Sequence, residues 1–130
     1  MEEWYVMIYA ERGKEKEIFI EFVEDALEIL SLENYNAFLS LFDSSRLQEK
    51  ELILALKYLD ETQPVLKIDN PKTTVSDDIR CDLICFKDQS GYTMDYDLTT
   101  DGVRNDLTIQ IEFRLSGTGY KVILHDLHTL

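Results

Sequence analysis

A chain of 130 residues, 45% hydrophobic and 30% charged with five Gly and two Pro, has apolar side chains enough for one core and too few turn-formers for a fibrous or low-complexity protein. Its longest apolar runs are a few residues, which predicts no membrane-spanning helix and no signal-peptide core. With 26 acids against 13 bases the net charge is -13, a field that repels nucleic acid and anionic membrane and draws in basic protein.

The first nine residues fit two patterns. Trp4, Val6 and Ile8 alternate as in a strand, while Trp4, Tyr5, Ile8 and Tyr9 share a helix face. Glu2 and Glu3 favour the helix, whose N-terminal end attracts negative charge. Over 16–30 the helical period is plain: Ile18, Phe19, Phe22, Val23, Ala26, Leu27 and Leu30 form one stripe. Glu17, Glu21, Glu24, Asp25 and Glu28 fall mostly opposite it. A second helix is predicted over 33–42, with Leu32, Tyr35, Phe38, Leu39 and Phe42 on its stripe. A third is predicted from Ser45, where Gln48 completes a capping box and Leu52, Ile53, Leu56 and Leu59 form the inner face.

After Pro64 the pattern alternates. Val65, Leu66 and Ile68 suggest a short strand, and 79–86 a second with apolar residues on both faces. Tyr92, Met94, Tyr96 and Leu98 then alternate with Thr93, Asp95, Asp97 and Thr99. Leu107, Ile109, Ile111, Phe113 and Leu115 alternate in the same way, and 120–127 returns as a last strand. Turn residues stand at 88–91, 101–102 and 116–119. Helices followed by strands on short connections predict a single two-layer α+β domain with an antiparallel sheet. Cys81 and Cys85, four apart on a strand, lie about 13 Å from each other, beyond disulfide reach. Both are expected reduced and partly buried, which fits a cytoplasmic protein.

Two acidic N-terminal helices, the phrase Leu32-Glu33-Asn34-Tyr35-Asn36-Ala37-Phe38-Leu39 and a meander closing on a long last strand resemble the NTF2-like (cystatin-like) superfamily over nearly the whole chain. The resemblance implies a cone, with the helices packed into the concave side of a curved antiparallel sheet. One departure stands out: such folds place a short strand between the second and third helices, and Asp43-Ser44-Ser45 leaves no room for it. The closing segment is more particular. Arg104-Asn105-Asp106-Leu107-Thr108, then Tyr120-Lys121-Val122, then His125-Asp126-Leu127-His128-Thr129-Leu130 looks like a DUF7668-like family of small uncharacterised bacterial proteins. That resemblance implies an immunity-type or accessory role and carries over no catalytic residue.

Catalytic NTF2-like proteins carry an acid, a His or an Arg inside the cone. The inward positions here hold Leu98, Leu107, Ile109, Ile111, Phe113, Val122 and Leu124, with Tyr92, Met94, Tyr96 and Tyr120 as pocket candidates. None is a base of useful pKa, and the plain reading of the stripe is core. Asp95 and Asp97 share a face and could hold a divalent ion or act as acid and base; the plain reading is a solvated sheet face. His125, Asp126 and His128 are the richest polar cluster. Asp126 and His128 point the same way, a pair able to orient an imidazole, against the plain reading of strand-end hydrogen bonds. Phosphate-loop, zinc-protease, nucleophile-elbow and calcium-loop motifs are missing. No catalytic residue, metal ligand or cofactor is assigned.

The expectation is a non-enzymatic acidic binding protein, immunity-like, that docks a basic partner. Its contacts would be Glu17, Glu21, Glu24 and Glu28, aligned by helical spacing, with Asp95 and Asp97 on the sheet. Two alternatives are a small-molecule binder or enzyme using the cone pocket, and a homodimer through the sheet's outer face. There Ile123 and Leu127 are expected beside Lys121 and His125.

Overall fold

The apolar stripe that starts at Ile18 becomes the buried face of α1 (Glu15–Ser31), with Phe19, Val23, Ala26, Leu27 and Leu30 taken from water. The structure, a computed structural model, describes residues 8–74 and 80–129. Two short helices follow, α2 (Tyr35–Ser40) and α3 (Glu49–Ala55), with the two-residue strand β1 (Ser44–Ser45) between them. The remaining strands are β2 (Cys81–Cys85), β3 (Gly91–Thr100), β4 (Val103–Ser116) and β5 (Gly119–Thr129). They form one sheet in the order β1-β5-β4-β3-β2, with β2 to β5 antiparallel in turn. The fold is α+β: N-terminal helices packed against a five-stranded, curved, unclosed sheet. Among the described residues no helix is long and apolar enough to cross a membrane.

The second and third helices are shorter than their stripes predict. α2 starts at Asn34, whose side chain accepts from the Ala37 N–H at 3.3 Å. The capping box at Ser45 is not formed. Ser45 belongs to β1, and its hydroxyl bonds to the backbone of Leu47 on both sides, donating at 2.6 Å and accepting at 3.0 Å. α3 therefore starts at Glu49. The expectation that 43–45 leaves no room for a strand is corrected, because Asp43 lengthens the pairing. Its N–H donates to the Val122 carbonyl at 2.8 Å, and its carboxylate accepts from the Val122 N–H at 2.7 Å. β1 then runs parallel to β5 at Ile123 and Leu124, the one parallel pair in a sheet otherwise antiparallel.

Other corrections have similar local causes. Of the first nine residues, 1–7 lie outside the described residues. Ile8 forms an antiparallel bridge with Tyr120, with bonds of 3.2 and 2.8 Å, so its backbone pairs as a strand does rather than as a helix. The strand predicted at Val65–Ile68 joins no ladder among the described residues. Its Leu66 N–H donates back to Leu56 at 2.8 Å, while Ile68 fills the core. In β5 the register slips between Gln110 and Ile111, whose partners are Asp126 and Leu124, so His125 is the extra residue of a bulge. One inserted residue inverts the faces that follow. Leu127 turns into the core at 4% exposure, and Ile123 stays half-buried outside without that neighbour. Both thiols are free; Cys81 is half-buried as expected, but Cys85 is exposed, which corrects its expected burial.

The β3–β4 turn is clamped from the connection between α3 and β2. Asp101 and Gly102 both take positive φ, 53° and 79°, as a tight hairpin turn of the primed type requires. The Asp69 carboxylate accepts from the N–H groups of Asp101 at 3.0 Å and Gly102 at 2.8 Å, and from the Thr99 hydroxyl at 2.8 Å. Replacing Asp69 by Ala strands those donors and is expected to cost about 1–2 kcal/mol. A urea midpoint that falls with an unchanged slope checks it; an unmoved midpoint refutes the clamp.

Candidate functional site

Met94, Tyr96 and Tyr120 belong to the core, Tyr92 packs half-buried against it, and Phe19 of α1 meets the two tyrosines Tyr92 and Tyr120. Its ring stacks on Phe113 at 3.9 Å and meets Tyr92 and Tyr120 edge-on at 5.5 and 5.0 Å. Met94 is 0% and Tyr96 6% exposed. Burial, helped by the nearby Glu24 charge, pushes the Tyr96 phenol up to about 12, so it does not ionise near neutral pH. Met94 and Tyr96 are packed in the core, and Tyr92 lies partly buried at its margin.

The acids of α1 divide into paired and unpaired. Glu17 lies 3.8 Å from Lys14. Glu28 accepts from Asn70 and Lys72, both at 3.2 Å, and Lys72 also reaches Asp25 at 2.5 Å, so the α3–β2 connection is pinned to the helix. Both carboxylates hold the Lys72 ammonium above its ordinary pKa. Among the described residues, Glu21 and Glu24 have no cation within ion-pair distance.

Asp95 and Asp97 part company. Asp97 is 4% exposed, which corrects its reading as part of a solvated face. Its Oδ1 accepts from the Thr108 hydroxyl at 2.9 Å and from Arg80 Nη2 at 3.1 Å, and its Oδ2 from Arg104 Nη1 at 3.3 Å. Burial alone would raise this carboxyl, but the bonds from Arg80 and Thr108 and the Arg80 charge outweigh it and hold the group below its ordinary value. Asp95 stands directly opposite Asp82 on β2, and its buried Oδ1 accepts no hydrogen bond among the described residues.

The bulge also divides the polar cluster. His125 turns toward Glu112, with Nε2 at 3.7 Å from Oε1. Asp126 and His128 come together, Oδ2 to Nδ1 at 3.2 Å, while Asp126 Oδ1 accepts from the Leu127 N–H at 2.8 Å. β1 covers β5 only at Ile123 and Leu124, so the Asp126 carboxylate satisfies backbone on an edge that lacks a partner strand among the described residues.

Asp126 and His128 line a cleft of about 210 Å³ with Ala55, Tyr58, Leu59, Leu107, Leu127 and Thr129. Tyr58 and Leu59, its far wall, are the residues that sequence reasoning missed. Both take left-handed backbone, φ 54° and 62°, at the end of α3. The Tyr58 N–H donates to Ala55 and the Leu59 N–H to Leu54, each at 3.0 Å, the paired bonds of a helix-ending loop that glycine usually makes. No glycine marks the spot, and the apolar pattern of α3 runs on through Leu59, so no signal in the chain announces the turn.

None of the curated proteins and none of the solved structures compared with the chain matches it. A family model described as Domain of unknown function (DUF7668) matches residues 27–130, from the last turns of α1 through the whole sheet. That match covers most of the chain and takes in the cleft and the Asp97 cluster, so the protein belongs to the DUF7668 family.

Proposed function

We propose that this chain is a non-catalytic acidic binding protein of the bacterial cytoplasm, built on NTF2-like lines, that docks a basic protein partner through α1 as an immunity-type protein would. One observation carries the reading. α1 bears Glu15, Glu17, Glu21, Glu24, Asp25 and Glu28 against a single Lys16, and Glu21 and Glu24 meet no cation among the described residues. Like charges three and four apart on a helix cost a few tenths of a kcal/mol per pair, which a cationic surface would relieve. The packing of Phe19 among the tyrosines adds support, since it leaves the centre of the helix–sheet interface to side chains rather than to a substrate.

Co-purification of the tagged chain with the products of adjacent genes, across a salt series, tests it. A basic partner held at about 50 mM salt is expected to be released by about 500 mM. Substituting Glu21→Lys with Glu24→Lys is expected to weaken that complex roughly tenfold, chiefly through slower association. A complex indifferent to both salt and the substitutions overturns the reading.

A further inference from the structure

The docking reading leaves the cleft at the end of β5 without a use. We infer that this cleft binds a small neutral molecule with a compact apolar body and one hydroxyl group, a monocyclic phenol being the type. Size sets the first limit. A cavity of about 150 Å³ holds benzene. The 210 Å³ here therefore admits a substituted ring and little more.

The lining sets the second limit. Ala55, Leu59, Leu107 and Leu127 offer hydrocarbon, and the polar groups gather at Asp126 and His128. Asp126 is fixed through one oxygen by the Leu127 N–H and faces His128 Nδ1 with the other. His128 lines the cleft beside Asp126, and an imidazole nitrogen that carries no hydrogen accepts an O–H. An anionic ligand would meet the Asp126 charge and the net charge of -13.

The wall supplies the third observation. Tyr58 and Leu59 hold a backbone that costs non-glycine residues free energy, and such strain gathers at ligand sites. The Tyr58 hydroxyl anchors the strained turn by donating to the Asn105 carbonyl at 2.5 Å. Leu59 nonetheless stays 74% exposed at the mouth, an apolar side chain placed where a ligand would cover it.

The test is an amide NMR titration of the full chain with p-cresol, toluene and benzoate. Saturable shifts at Leu59, Leu127 and His128 are expected with p-cresol, which should bind roughly fivefold tighter than toluene by virtue of its hydroxyl. Benzoate should leave those amides unmoved. His128→Phe should bring p-cresol down to the level of toluene. Thr129→Phe, at an exposed strand position, should block both ligands while the rest of the spectrum stays dispersed. Leu59→Gly should raise the Tm and weaken p-cresol together. Absence of saturable shifts at these residues, equal affinity for p-cresol and toluene, or preferential binding of benzoate each overturns the inference, and the unmutated protein alone decides among them.

Discussion

Replacing Phe19 by Ala is expected to lower the free energy of unfolding by about 3–5 kcal/mol, a large part of the stability of a domain this size. Phe19 is 0% exposed, and its ring touches side chains from three strands: Tyr92 on β3, Phe113 on β4 and Tyr120 on β5. Removing it takes away the buried ring and leaves a hole that those aromatic neighbours, themselves held in ladders, can close only in part. Phe19→Leu keeps most of the volume and should cost about 1.5 kcal/mol or less. Urea denaturation of the three proteins measures the series. The hole should also accept benzene, since dry apolar cavities of about 150 Å³ do so, and added benzene should restore part of the lost stability. A loss for Phe19→Ala under about 1 kcal/mol would show that α1 is not keyed to the sheet through this ring.

The elements that were legible in the chain are those whose burial follows one period without interruption. The stripe of α1, from Ile18 to Leu30, and the alternating Met94, Tyr96, Leu98, Ile109, Ile111 and Phe113 predict the apolar core correctly, because these side chains all point to the helical layer, whereas the burial of Asp97 and Thr108 on the other face carries no such signal. What was not legible depends on backbone events that leave no trace in hydrophobicity. His125 looks like an ordinary strand residue, yet its bulge decides which way Leu127 and His128 point. Asp43 reads as a loop acid, yet both its N–H and its carboxylate pair with Val122. Ser45 stands at a capping spacing from Gln48, but its backbone is claimed by β5. Tyr58 and Leu59 occupy the left-handed turn without the Gly or Asn that would have signalled it. The candidate site is legible only in part for the same reason. Asp126 and His128 could be paired by strand spacing, whereas the wall opposite them comes from a helix end far away in the chain, brought close by the packing of α3 against β5.

The same contrast between local pattern and long-range contact governs Asp97. Asp97→Ala is expected to cost about 3 kcal/mol at neutral pH, and Asp97→Asn about 2 kcal/mol, because an amide oxygen still accepts one bond. Thr108, 1% exposed, loses its acceptor outright, while Arg80 and Arg104, with side chains 33% and 47% exposed, regain water and so keep the loss toward the lower end of that for a buried pair. The pH dependence follows from the direction of the carboxyl's shift. Its pKa in the folded protein lies below the ordinary value near 4, so folding favours the ionised form. The stabilisation is therefore full above that ordinary value and fades as pH falls through the lower, folded one. Measured in urea from about pH 8 to pH 2, the gap between the natural protein and Asp97→Asn should be constant down to about pH 5 and should narrow in acid, as protonation of Asp97 makes the two side chains alike. A gap that stays constant throughout, or that widens in acid, would mean that the ionised carboxylate gains nothing from Arg80, Arg104 and Thr108 on folding.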